Sequence, residues 1–173
     1  MKTKINNLRT NVFSLVVRLI CTVVWPGTAL FISFSIQAQQ PVYHAASISY
    51  SIEGTFEDVK EDLILAIEEQ GAVVSYAAHS SAMLNRTAIT LNIENKIYNN
   101  AEVVLFCKAE LSHNMVQADP HSLVLCPYPI SIYTLSVEPN KVYLTIRKPP
   151  SELKEYGLVQ QLLTKIILST IDD

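Results

Sequence analysis

The chain has 173 residues, 49% hydrophobic and 17% charged, with 13 Lys and Arg against 16 Asp and Glu and a formal net charge of −3. That length suffices for one hydrophobic core without staples, and the acidic balance argues against nucleic acid as a partner. There are four glycines, and no Gly-x-Ser-x-Gly elbow, phosphate loop or dinucleotide fingerprint, so the common glycine-dependent catalytic sites are excluded.

The first 38 residues contain no Asp or Glu, carry Lys2, Lys4, Arg9 and Arg18, and run apolar from Leu19 to Ile36 ahead of Gln37-Ala38-Gln39. This is the layout of an export signal spanning 1–38, with cleavage after Ala38. The competing reading is an uncleaved anchor, since the apolar stretch approaches the length needed to cross a bilayer. Pro26-Gly27 interrupts it and a small-residue site follows, which favours removal. Removal leaves nine Lys and Arg against sixteen Asp and Glu, a charge of −7, in a periplasmic or secreted protein without membrane attachment. Residues 39–46 are polar and aperiodic and read as a flexible lead-in, with His44 solvated, and 47–173 as a single α+β domain.

The first strand is expected at Ser47–Ile52. Gly54-Thr55 then opens a helix: Thr55 caps it, Asp58 is the return partner of a capping box, and Glu57, Asp58, Glu61 and Asp62 suit the early turns. Its apolar face is Phe56, Val59, Leu63, Ala66 and Ile67, and Gly71 ends it before a strand at Ala72–Ala78. In His79–Asn100 the apolar residues Met83, Leu84, Ile89, Leu91 and Ile93 fit neither helical nor strand periodicity throughout. A helix is expected there near Ser81–Leu91.

Asn99-Asn100 reads as a turn before the apolar strand Glu102–Cys107. Lys108–Ala118 places Leu111, Met115 and Ala118 at helical spacing, and Pro120 stops that helix. Ser122–Leu135 is β-rich, and Pro127 and Pro129 around Tyr128 predict an edge or a bulge. Unpaired edges invite pairing, so a partner chain is expected to protect this one. Pro139-Asn140 predicts a hairpin turn between Ile130–Val137 and Val142–Lys148. After Pro149-Pro150, Ser151 can cap a last helix with Leu153, Tyr156, Val159, Leu162, Leu163, Ile166 and Ile167 on one face. Gly157 weakens that helix by about 1 kcal/mol relative to alanine.

Lys96–Leu135 resembles the core of the domain of unknown function 302 family through Ile97-Tyr98, Val103–Cys107, Leu111–Asp119, Pro120 and Leu125–Tyr133. His79, Met83-Leu84, Arg86-Thr87, Phe106-Cys107, Leu111-Ser112-His113, Met115, Ala118-Asp119-Pro120 and Cys126-Pro127-Tyr128 are similar to an exported proteobacterial branch of it. The resemblance implies a single antiparallel-rich sheet with two main helices packed on it, in the order β-α-β-β-β-β-α plus short extra helices. It also implies a homodimer, and it implies no activity.

Cys21 leaves with the leader, so Cys107 and Cys126 are an even pair in an oxidising compartment. They are read as a disulfide, as two small buried thiols, or as part of a redox or metal site. The metal version draws on His79, Cys107, His113, Met115, His121 and Cys126, because sulfur and imidazole together suit copper or haem iron. His113 and Met115 are two apart on a helix and do not share a face, so Met115 reads as core. His121, in a loop after Pro120, is the freest ligand of the set. Glu57, Glu61, Glu68 and Glu69 read as the solvated face of a helix, and Arg86 as a surface or ion-pairing cation with an anionic ligand as its sharper role. Asn85-Arg86-Thr87 matches a glycosylation acceptor.

The function expected is a non-catalytic binding or assembly module with no catalytic residue and no cofactor. The alternative is a redox or metal- or haem-handling accessory protein that uses the Cys, His and Met set. Bound metal, haem absorbance or a titratable thiol pair would distinguish the second from the first.

Overall fold

The computed structural model describes residues 40–148, 154 and 156–172. The leader expected over 1–38, the Pro149-Pro150 pair, the Ser151 cap and Leu153 lie outside the described residues. Within them the order is β1 (Val42–Tyr43), β2 (Ser47–Glu53), α1 (Phe56–Glu69), β3 (Val73–Ala78), α2 (Ser80–Ala88), β4 (Tyr98–Cys107), α3 (Ala109–Ala118), a 310 helix (Pro120–Leu125), β5 (Tyr128–Leu135), β6 (Glu138–Arg147) and α4 (Tyr156–Asp172). The strands form one antiparallel sheet in the order β1-β2-β6-β5-β4-β3. This is the α+β arrangement the sequence leads one to expect, with one addition. The stretch expected as a loose lead-in contains β1, which pairs Val42 with Ser49 and Tyr43 with Ile48.

Alternation decides which face of the sheet is covered. Val104 and Phe106 on β4, Tyr128, Ile130 and Ile132 on β5, and Val142, Leu144 and Ile146 on β6 are all buried. Their sequence neighbours Leu105, Pro129, Ser131, Tyr133, Tyr143 and Thr145 are only half-buried. Against the buried face lie the helices whose apolar spacing was legible. α1 contributes Phe56, Val59, Leu63, Ala66 and Ile67, and α4 contributes Tyr156, Val159, Leu162, Leu163, Ile166 and Ile167. Each large apolar side chain buried this way contributes about 1.5–3 kcal/mol.

The ends of α1 follow from its sequence. Thr55 Oγ1 accepts the Asp58 N–H at 3.2 Å and donates to Asp58 Oδ2 at 2.7 Å, so the return bond of the capping pair comes from the hydroxyl. At the far end Gly71 adopts φ 67°, a conformation glycine takes without a Cβ clash, and its N–H bonds Glu68 O at 2.8 Å. In α4, the Gly157 N–H bonds Lys154 O at 2.9 Å.

Four turn and edge expectations are corrected. Asn99-Asn100 lies inside β4 at a register shift, where the Asn100 N–H bonds Thr134 Oγ1 at 3.2 Å in place of a ladder carbonyl. Ser122–Leu125 is 310 helix: Pro120 opens it, Asp119 Oδ1 accepts the His121 N–H at 2.9 Å, and Ser122 Oγ bonds back to Met115 O at 3.0 Å. Pro139-Asn140 lies within β6 beside an irregularity, and Ser136-Val137 makes the turn. The Pro127-Tyr128-Pro129 stretch is not a sheet edge, because β5 lies between β4 and β6. Pro129 pairs with Leu105 on β4, whereas the pairing with β6 starts only at Ser131, so the proline stands where the sheet is paired on one side.

A buried β5 position should therefore be costly to truncate and its outward neighbour cheap. Ile130→Ala is expected to lower unfolding free energy by about 2–5 kcal/mol in urea titration. Ser131→Ala should stay within about 0.5 kcal/mol. Equal losses at the two positions would contradict this assignment of faces.

Candidate functional site

Two places hold chemistry, one at each end of β4. At its C-terminal end Phe106 pairs with Tyr128, which sets Cys107 beside the residues leading into β5. Cys126 follows the 310 helix and precedes a cis peptide bond to Pro127. Cys107 Sγ and Cys126 Sγ are 2.9 Å apart, and both are half-buried free thiols. A bonded pair sits near 2.05 Å, so closure takes a movement of less than about 1 Å.

The first turn of α3 brings Ser112 over this pair. Its Oγ lies 3.4 Å from Cys126 Sγ and 3.0 Å from Tyr128 Oη. Tyr128 is fully buried and meets the Phe106 ring edge-on at 6.1 Å between centroids. Burial, then the hydrogen bond to Cys126 and that sulfur's charge, push the Cys107 thiol up to about 11, against the opposing Ser75 hydroxyl. Burial also raises the Tyr128 phenol, with the Ser112 bond pulling the other way.

The remaining members of the expected metal set are not gathered here. His113 and His121 are exposed, and Met115 is a core residue at 1% exposure. His79 sits at the start of α2, its Nδ1 3.1 Å from Glu102 Oε1, while Lys60 Nζ lies 2.8 Å from Glu102 Oε2. Among the described residues no group of three or more His, Cys, Asp or Glu could hold a metal ion. Arg86 and Asn85 are exposed on α2.

The second place is the segment between β3 and β4. Thr87 Oγ1 donates to the Met83 and Leu84 carbonyls, each at 3.1 Å, and α2 ends at Ala88, short of the Leu91 expected. The Ile93 N–H bonds Ala88 O at 2.9 Å and Asn92 takes φ 53°, a conformation asparagine tolerates, which turns the chain back toward β4. Between α2 and this return lies a cleft of about 250 Å³ walled by Leu84, Ala88, Leu91, Ile93, Ile97 and Tyr98, with Asn85, Asn95 and Lys96 as polar members. None of the α2 side chains is buried. Tyr98 meets Tyr133 edge-on at 5.3 Å, and Tyr133 stacks on Tyr143 at 5.3 Å, so the cleft adjoins a row of tyrosines on the half-buried sheet face. The Tyr143 hydroxyl donates to Glu138 Oε2 at 2.6 Å, and this bond, with burial and the carboxylate's charge, pushes its pKa up to about 12.

A family model described as domain of unknown function DUF302 matches residues 48–169. The chain belongs to the DUF302 family. Its fold is similar to the crystal structure of an uncharacterized conserved DUF302 protein from Bacillus stearothermophilus, at 12% identity and a TM-score of 0.50, covering 72% of this chain and 95% of that one. At that identity the likeness is one of fold. No curated protein matches the chain.

In this DUF302 chain the sequence pointed to Cys107 and Cys126 and missed Ser112, Tyr128 and the cleft walls. Ser112 entered only as part of the Leu111-Ser112-His113 family motif, with no role attached, since its place depends on the register that sets α3 over the strand ends. The cleft did have one: a stretch rich in Met, Leu and Ile with no fixed period is what an apolar segment left out of the core looks like.

The raised thiol gives a pH dependence with a definite sign. The folded state holds the Cys107 proton more tightly than the unfolded chain, whose thiol titrates near 9.0, so its contribution is complete below pH 9.0 and fades as pH rises toward about 11. Urea midpoints measured under reductant should fall over that window, and less steeply in Cys107→Ala. An unchanged slope in the variant would contradict the assignment.

Proposed function

We propose that this DUF302 chain is an exported, non-catalytic binding domain and that the cleft beside α2 receives its ligand. The observation that carries the reading is an amphipathic helix that buries none of its side chains. Met83 and Leu84 on α2, and Ile89, Leu91, Ile93 and Ile97 after it, are all exposed, a concentration of apolar surface that marks interaction sites. The cleft is smaller than the roughly 300–1,000 Å³ of drug-sized sites, so it suits a short apolar ligand whose polar end meets Asn85, Asn95 or Lys96.

Export rests on the acid-free N-terminal segment with Ala38 at its end, and places mature protein in the periplasm starting at Gln39. Among the described residues no helix is long and apolar enough to cross a membrane. Self-association belongs to the same proposal, with edge strand β3 as its seat, where Val73 and Tyr76 are exposed.

A fluorescent apolar probe such as anilinonaphthalene sulfonate should bind the wild-type protein. Ile93→Asp and Leu84→Asp should each weaken binding by at least about tenfold, since a carboxylate in an apolar wall must be desolvated when the probe enters. Both residues are exposed, so the melting temperature should hardly move. Probe binding that survives both substitutions would overturn the cleft as the site.

A further inference from the structure

The contacts around the sulfur pair form a chain from Tyr128 through Ser112 to Cys126. Tyr128 is fully buried, and among the described residues the partner within reach of its hydroxyl is Ser112 Oγ at 3.0 Å. Ser112 Oγ has one proton and two acceptor positions, so it can accept from Tyr128 Oη and donate to Cys126 Sγ at the same time. The Ser112 proton is then free for its other neighbour, Cys126 Sγ at 3.4 Å. Cys107 Sγ, at 2.9 Å, is a second group able to donate to the same sulfur. Cys126 Sγ can thus accept from both neighbours, which places it, and not Cys107, beside the Ser112 hydroxyl.

We propose that Cys107 and Cys126 form a thiol–disulfide exchange site in which Cys126 is the attacking sulfur, Cys107 the resolving thiol and Ser112 the donor that holds the Cys126 anion. Its co-reactant is a small disulfide, R–S–S–R, of a size that can reach two half-buried sulfurs. Cys126 loses its proton to water and its sulfur attacks one sulfur of R–S–S–R. The R–S–S–R bond breaks, one R–S⁻ departs with the bonding pair, and a mixed disulfide Cys126–S–S–R remains. The departing thiolate or water takes the Cys107 proton, and the Cys107 sulfur, already in contact, attacks Cys126. The mixed bond breaks, the Cys107–Cys126 bond forms and the second R–S⁻ leaves. Two protein thiols lose two electrons and two protons, and R–S–S–R gains them to become two R–SH.

The test uses reduced full-length mature protein and three readouts. Limiting iodoacetamide followed by peptide mass mapping should label Cys126 before Cys107 in the wild type; Cys107 first, or equal labelling, overturns the assignment. Oxidised glutathione should convert the wild type to a species lacking two hydrogens and leave a glutathione adduct on Cys126 in Cys107→Ser. Cys126→Ser should form its adduct at least about tenfold more slowly. A wild type that keeps two free thiols, or that retains the adduct unresolved, contradicts the proposal. Ser112→Ala should slow Cys126 labelling about tenfold, the loss of one charge-assisted hydrogen bond, and Ser112→Thr should restore it. If Ser112→Ala fails to fold, the labelling order in the wild type decides the matter alone.

Discussion

With Val104 opposite Ile130 and Phe106 opposite Tyr128, the β4–β5 ladder turns these four side chains and Ile132 toward the helices, and each is fully buried. A slip of one residue would expose them and press Ser131 and Tyr133 into the core, which costs far more than a ladder hydrogen bond recovers. The same register places the two candidate sites. At one end it sets Cys107 beside Cys126, under Ser112; at the other it holds Tyr98 against Tyr133 next to the α2 cleft. Strands rise about 3.4 Å per residue, so Tyr98 and Cys107 stand about 30 Å apart.

The two ends differ in how firmly they are held. The cysteine end is tied to the core through Tyr128, Phe106 and Met115, all buried. The cleft end depends on α2, which packs along β4 but contributes no buried side chain, so its local stability comes from its own short helix and from the His79–Glu102 contact at its start. A wall of that kind can yield to a ligand without disturbing the sheet, whereas the sulfur pair cannot move far without disturbing Tyr128.

Much of the fold was legible because burial imposes a period. The faces of α1 and α4 were readable residue by residue, from Phe56 to Ile67 and from Tyr156 to Ile167, and so was the Thr55 cap. Turn chemistry misled where tertiary pairing overrode it. Asn99-Asn100 and Pro139-Asn140 look like turns in isolation, yet both lie in strands at register irregularities, and Pro129 sits inside the sheet at a position where β5 is paired with β4 while its pairing with β6 begins only at Ser131. Of the sites, Cys107 and Cys126 stood out as an even pair. Ser112 did not, because a serine four residues into a helix is informative only once the strand ends beneath it are placed. His79, His113 and His121 stood out for their chemistry but sit on different elements, at the start of α2, in α3 and in the 310 helix, and among the described residues they gather into no metal-holding group.

Native-state hydrogen exchange tests most directly whether the β4–β5 ladder is the rigid frame and α2 a separable wall. The account predicts that the amides of Val104 and Ile130 exchange only with global unfolding, while those of Leu84 to Ala88 exchange through a local opening that leaves the sheet protected. Exchange of α2 with the same free energy and denaturant dependence as Val104 and Ile130 would contradict it.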